Sequence, residues 1–228
     1  MEQTLFRNPV RSGVLPNLDE RVRREFTWES VRHRLDGLPD GKGLNLAHEA
    51  VDRHPSDRTA FRFLLQDGST RQVSYRQLQQ ETARFANLLG ELGVEPGQTV
   101  SSLAGRIPGL YTAALGTLKN RSVFCPLFSA FGPEPIHQRL QRGKARVLVT
   151  TRRLYQKKVA GLRDRLPDLR FVLLTDAEQD ESADILSLER RLAAASPDFA
   201  IGSTDPETPS LLHFTSGTTG MPKGAVHV

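Results

Sequence analysis

From Leu44 onward the apolar positions of this chain follow two alternating rhythms, one of helices and one of strands. "LNLAHEAVDRHP" carries the helical period and predicts a helix stopped by Pro55. "TAFRFLLQDGSTRQVS" reads as two strands around an Asp67-Gly68 turn, a hairpin signal. Ser74 and Gln77 have the spacing of a capping box. The helix they open sets Leu78, Phe85, Leu89 and Leu92 on one face and ends at Gly93. Residues 1–43 mix charges with Gly and Pro and lack a sustained apolar period. They read as an extended lead-in that Trp28 anchors to the body.

Beyond Gly93 the two rhythms take turns. Strand-like runs appear at "QTVSSLAG", "SVFCPLF", "RVLVTT", "RFVLLT" and "SLLHF". Helices are expected from Pro108, from Pro133, across Arg152–Leu166 and near Ile185–Ala195. Pro108 and Pro133 suit the first helical position, where the missing N–H costs nothing. The order β-α-β-α predicts an α/β domain built on a parallel sheet with right-handed crossovers and flanking helices. Ligands of such sheets collect at the carboxyl ends of the strands.

Composition narrows the class without changing the fold. The chain has 228 residues, 38% hydrophobic and 25% charged, which suits one or two globular domains. No apolar stretch approaches the roughly 20 residues of a membrane span. The opening "MEQTLFRNPVRSG" has no apolar core of a secretory signal, so a cytoplasmic protein without a membrane partner is expected. The single cysteine, Cys125, reads as a core residue of a reduced compartment. The six histidines have no metal-ligand spacing, so no metal ligand is assigned.

Charge is unevenly spread within a formal net charge of +5. Arg139–Arg170 holds eleven Lys and Arg against two Asp, while Asp176–Glu189 holds only acids. The acidic run reads as a solvated loop. The basic run suits either a polyanion such as CoA or nucleic acid, or the outer face of helices. Tyr155 is its only aromatic residue, which disfavours base stacking and so nucleic acid.

The chemistry is concentrated in "HFTSGTTGMPKGAVHV", His213–Val228. Gly217, Gly220 and Gly224 have no side chain to keep a ligand off the backbone, and glycine permits the positive φ that turns successive N–H groups into one concavity. Thr215, Ser216, Thr218 and Thr219 add hydroxyls, and Lys223 adds a compact cation with three donors. The set suits a polyphosphate. It is not a P-loop: two residues rather than four separate Gly217 from Gly220, and Met221-Pro222 precede the lysine. The flanks read as strand–loop–strand, so no helix dipole assists. A surface Gly/Thr hairpin is the alternative on composition alone.

The order "FTSGTTGMPKG" resembles the phosphate-loop signature of the adenylate-forming superfamily of acyl-CoA synthetases, luciferases and peptide-synthetase adenylation domains. "GLNLAHEAVDRH", "VSYRQLQQETARFANLLGELGVEPGQTV" and "PLFSAFGPEPIHQRL" look like the first half of an acyl-CoA synthetase, and "FSAFGPEPI…RVLVTT" followed by "LLHFTSGTTGMPKGAVHV" looks most like the acetyl-CoA synthetase branch. Arg121 departs from the pattern, which commonly has a small residue before the "VFCPLF" strand.

The resemblance implies that 44–228 are an incomplete AMP-binding large domain ending just after the phosphate loop. It implies an N-terminal portion of a ligase that joins a small carboxylate, acetate favoured, to CoA through an acyl-adenylate. ATP, Mg²⁺ and CoA would take part, and the portion is expected to be inactive alone. Thr215, Ser216, Gly217, Thr218, Thr219, Gly220, Lys223 and Gly224 would form the phosphate loop, with Lys223 offsetting charge on the leaving pyrophosphate. From the basic run alone, and not from the resemblance, Arg152 and Arg153 are expected to meet CoA phosphates. A longer-chain acyl-CoA or carrier-protein ligase, and a non-catalytic polyanion-binding protein, stay open; oligomeric state does not follow.

Overall fold

The computed structural model describes residues 20–65, 67–215 and 221–228. The chain forms two compact units, Met1–Asp36 and Gly37–Val228. In the first, the described segment is helical rather than extended: α1 spans Glu20–Glu25 and α2 spans Trp28–Arg32. Thr27 supplies the reason, because its hydroxyl accepts from Ser30 N–H while Ser30 Oγ accepts from Thr27 N–H, a reciprocal cap on α2. Trp28, expected as an anchor, is 76% exposed, and its aromatic neighbour is Phe26 of the same unit.

In the second unit a hairpin of β1 (Thr59–Leu64) and β2 (Thr70–Ser74) precedes the long helix α3 (Tyr75–Glu91). Asp67 Oδ1 accepts from both the N–H and the hydroxyl of Ser69, which closes the turn at the expected place. Ser74 and Gln77 form the capping box, and Gly93 takes φ +69 just past the helix end. Then come β3 (Thr99–Leu103), α4 (Pro108–Lys119), β4 (Val123–Leu127), α5 (Pro133–Arg142), β5 (Ala145–Thr150), α6 (Arg152–Lys158), β6 (Phe171–Leu174), β7 (Ile185–Ser187), α7 (Leu188–Ala194), β8 (Leu211–Thr215) and β9 (Lys223–His227).

The main sheet has seven strands in the order β7-β6-β5-β3-β4-β8-β9. All neighbours are parallel except β8 and β9. The chain leaves β3 for β4 on one side and then crosses to β5 on the other. Period-2 alternation divides the central strands between two cores. Val147, Val149 and Leu173 pack with Phe85, Leu88 and Leu89 of α3 on one face. Leu148, Val172 and Leu174 pack with Ile136 and Leu140 of α5 and Tyr155 of α6 on the other. Each such fully buried side chain contributes roughly 1.5–3 kcal/mol.

Three expected helices are refined. Before Pro55 the helix is present but wound wide, as a π-helical turn at His48–Asp52, with Arg53 N–H bonded to His48 O five residues back. Gln79 Nε2 donates to the carbonyls of Val51, Asp52 and His54, so a distant side chain satisfies the wide turn. The helix expected over Arg152–Leu166 breaks at Val159, where φ −127 and ψ −40 lead into a 3-10 segment, Ala160–Arg165. The helix expected from Ile185 starts as β7. Ser187 ends that strand and caps α7 by accepting from Arg190 N–H.

Candidate phosphate-loop site

β8 pairs in parallel with β4, and β9 folds back on β8. Thr215 and Lys223 are a register pair that closes the base of the loop, so the lysine enters at its mouth. Both are exposed, whereas Pro222 beside the lysine is buried and fixes the approach. Ser216, Gly217, Thr218, Thr219 and Gly220 lie outside the described residues. Gly224 is exposed, yet a Cβ there would lie 3.0 Å from Leu212 Cδ1 and 3.2 Å from Phe214 Cε1. Its missing side chain makes room for the strand pair's own residues.

The loop leaves the carboxyl end of β8, the same end as the turns after β3, β4 and β5. The turn after β4 is held from below. Lys158 Nζ donates to Ser129 O at 2.5 Å and Phe131 O at 2.6 Å, and the Arg139 guanidinium lies 4.3 Å from the Phe131 ring centroid. Arg139 is buried, donates from one nitrogen to Pro135 O, and has no partner for Nε. Burial shifts its pKa down, with the nearby Cys125 opposing. Neither cation was legible as structural, because nothing in a run of arginines marks which one turns inward.

The basic run is largely engaged. Arg152 pairs with Glu181, Arg163 with Asp184, Arg165 with Glu134 and Arg146 with Asp168. Two of these acids belong to the acidic run, so the two stretches of opposite sign meet each other. Arg163 is held by its pair and by the Leu169 and Arg170 carbonyls. Among the described residues Arg153 and Lys157 form no ion pair.

A second ionic feature escaped the sequence reading. Lys119, at the end of α4, has a side chain only 2% exposed, with Nζ 2.7 Å from Asp52 Oδ1 and 3.3 Å from Gln79 O. Burial lowers its pKa, against the pull of Asp52. The pair lies beside a cleft of about 590 Å³ lined also by Gln79, Gln80 and Pro197–Ile201. It belongs to the amino ends of the strands, away from the loop. Its partners are 67 residues apart in sequence, and no local pattern links them.

Residues 47–228 match the profile of the AMP-binding enzyme family. The chain belongs to that family. Within it, the acetyl-coenzyme A synthetase of Bacillus subtilis (strain 168) is 32% identical over 213 residues, 92% of this chain and 36% of the relative. Acetyl-coenzyme A synthetase 2 of Pseudomonas aeruginosa is 30% identical over 88% of this chain and 34% of its own length. A crystal structure of Brucella canis acyl-CoA synthetase superposes with a TM-score of 0.79 at 26% identity, covering 91% of this chain and 37% of that one. The chain thus spans about a third of the length of these relatives. Among the described residues, no helix is long and apolar enough to cross a membrane, and no three His, Cys, Asp or Glu side chains converge.

Proposed function

We propose that the chain is an N-terminal portion of an AMP-forming acyl-CoA ligase for acetate or another short-chain carboxylate. On this reading 44–228 form the first part of the catalytic large domain, working in the cytoplasm. What carries it is the β8–loop–β9 unit: a Gly/Ser/Thr loop whose base pairs Thr215 with Lys223 at the carboxyl end of a parallel sheet. The named relatives supply the acyl-CoA direction.

The described half of the loop fits a polyphosphate: one hydroxyl, one ammonium, and a buried proline that limits where the ammonium can swing. Thr215, Ser216, Gly217, Thr218, Thr219, Gly220 and Gly224 would orient the β- and γ-phosphates of ATP. Lys223 would offset charge that builds on pyrophosphate as the carboxylate attacks the α-phosphate. Mg²⁺ would neutralise the phosphates. CoA then takes the acyl group, and Arg152 and Arg153 would receive its phosphates. Positioning and fixed charge supply the catalysis.

The test has two arms. Residues 1–228 alone should release no acetate- and CoA-dependent AMP above a heat-killed control, yet should bind MgATP; absence of binding would overturn the loop assignment. Joined to the remaining length of the Bacillus subtilis relative, the chain should regain turnover. Lys223→Ala should then lower kcat of pyrophosphate exchange by about 10²–10³ and leave CoA attack on supplied acetyl-adenylate nearly unchanged. Equal loss in both half-reactions would contradict the role given to Lys223.

A further inference from the structure

The loop between β6 and β7 bends back over the start of α6. Asp176 Oδ1 accepts from Arg152 N–H at 2.7 Å, and Glu181 Oε1 lies 2.5 Å from Arg152 Nε. The loop is ordered from within. Glu181 N–H and Ser182 N–H both donate to Ile185 O, and Ser182 Oγ donates to Asp184. Asp180 accepts from Ser187 N–H at 2.8 Å and from Arg191 at 2.7 Å. Glu181 is therefore presented to Arg152 by a fixed turn. The pair stays open to solvent, with side chains 51% and 28% exposed, so it is exchangeable rather than locked. Arg153, next along the chain, is exposed and forms no ion pair among the described residues.

These residues sit at the carboxyl ends of β5 and β6, the side of a parallel sheet where anionic ligands collect. There the chain places its own carboxylate on an arginine, with an exposed arginine beside it that forms no ion pair among the described residues. We infer that Glu181 is an internal competitor for a phosphate group: it occupies Arg152 until a phosphate-bearing ligand displaces it. This rests on the reading of Arg152 and Arg153 as contacts for CoA phosphates. The exchange trades one ion pair for another, leaves the fold intact, and makes apparent affinity depend on the acidic loop. Asp180 and Asp176 serve the loop and the backbone. Among the described residues, Glu181 alone meets the guanidinium.

Calorimetric titration of CoA into residues 1–228 at low salt tests the exchange. Glu181→Gln should tighten binding about two- to fivefold, the scale of one exposed ion pair, without moving the unfolding midpoint. Arg152→Gln should weaken binding, and adding Glu181→Gln to it should bring no further tightening. A Glu181→Gln chain that binds CoA no better than the parent, while Arg152→Gln binds worse, would overturn the competition and leave the phosphate contacts standing. CoA binding untouched by Arg152→Gln, or absent throughout, would overturn both.

Discussion

The two flanks of the seven-stranded sheet are built to different standards. In β5 every residue but Arg146 is buried, and three of the four residues of β6 are. At the other edge β8 is half-exposed, and all five residues of β9 are exposed. The sequences differ in the same sense. "ARVLVT" and "FVLL" offer an apolar side chain to each face, as a strand covered by helices on both sides must. "KGAVH" offers one valine, and Val226 is 58% exposed. The well-packed flank provides the rigidity, and the bare flank carries the proposed phosphate loop. That edge presents unpaired backbone groups and exposed Val226 and Val228, a surface that invites association.

The largest expected contrast is in side-chain truncation. Leu148 is fully buried in the core between β5 and α5. Leu148→Ala should cost about 2–5 kcal/mol, whereas Val226→Ala should stay within about 0.5 kcal/mol. Urea denaturation of both variants checks this. A loss at Val226 matching that at Leu148 would mean the bare flank is packed in solution.

Added bulk should show the same asymmetry on a smaller scale. A Cβ on Gly116 would lie 2.7 Å from Phe85 Cβ and 2.9 Å from Thr82 O, where α4 crosses α3. Neither helix can yield without disturbing the core, so Gly116→Ala should cost about 3 kcal/mol, the upper end of overpacking. Gly224→Ala meets only the ends of Leu212 and Phe214 side chains near the open edge and should cost about 1 kcal/mol. Similar unfolding midpoints for the two variants would break the comparison.

Cys125 probes the packed flank by titration. Burial pushes its thiol up to about 11, with the neighbouring Ser101 hydroxyl and Arg139 opposing. A folded pKa raised above the unfolded value means that stability is complete below the unfolded pKa and falls as pH climbs towards 11. The loss by pH 11 should be about 2 kcal/mol, and Cys125→Ser should flatten the dependence. The native thiol should also resist a disulfide reagent at pH 8 until the chain is unfolded. Rapid native labelling would show that the core opens.

Legibility followed locality. The Asp67-Gly68 hairpin, the Ser74–Gln77 box and the Gly93 stop depend on neighbours within a few residues, and each stands where the sequence placed it. The strands β4 to β6 were readable because a covered strand is largely apolar, whereas β3 and β8 showed only short apolar runs between turn residues. The π-turn at His48–Asp52 was not, since a helical period describes it equally well and the deciding donor is Gln79. β7 has three residues and runs straight into α7, too short for its own pattern. In the candidate site, the Gly/Ser/Thr run and Lys223 stood out in the sequence as the basis of the proposal. Their neighbours did not: Lys158, Arg139 and the Arg152–Glu181 pair depend on contacts from sequence-distant elements.

The smallest effect separates two turns that feed the packed strands. Arg121 and Lys144 both take left-handed backbone angles, φ 58 and φ 48, just before β4 and β5. Such a residue carries a strain that glycine avoids, about 1 kcal/mol. It persists here because the strand that follows is fixed on both faces. Lys144 is exposed, so Lys144→Gly should raise stability by about 1 kcal/mol, less what glycine adds to the freedom of the unfolded chain. Arg121 differs, because its side chain lies over Gly202: a Cβ on that glycine would come within 2.8 Å of Arg121 Nε. Arg121→Gly therefore relieves the same strain but uncovers the strap entering β8, and the net change should be near zero. Equal gains from both substitutions would show that the Arg121 side chain contributes nothing to that strap. A loss at Lys144 would show that the strain attributed to its turn is absent.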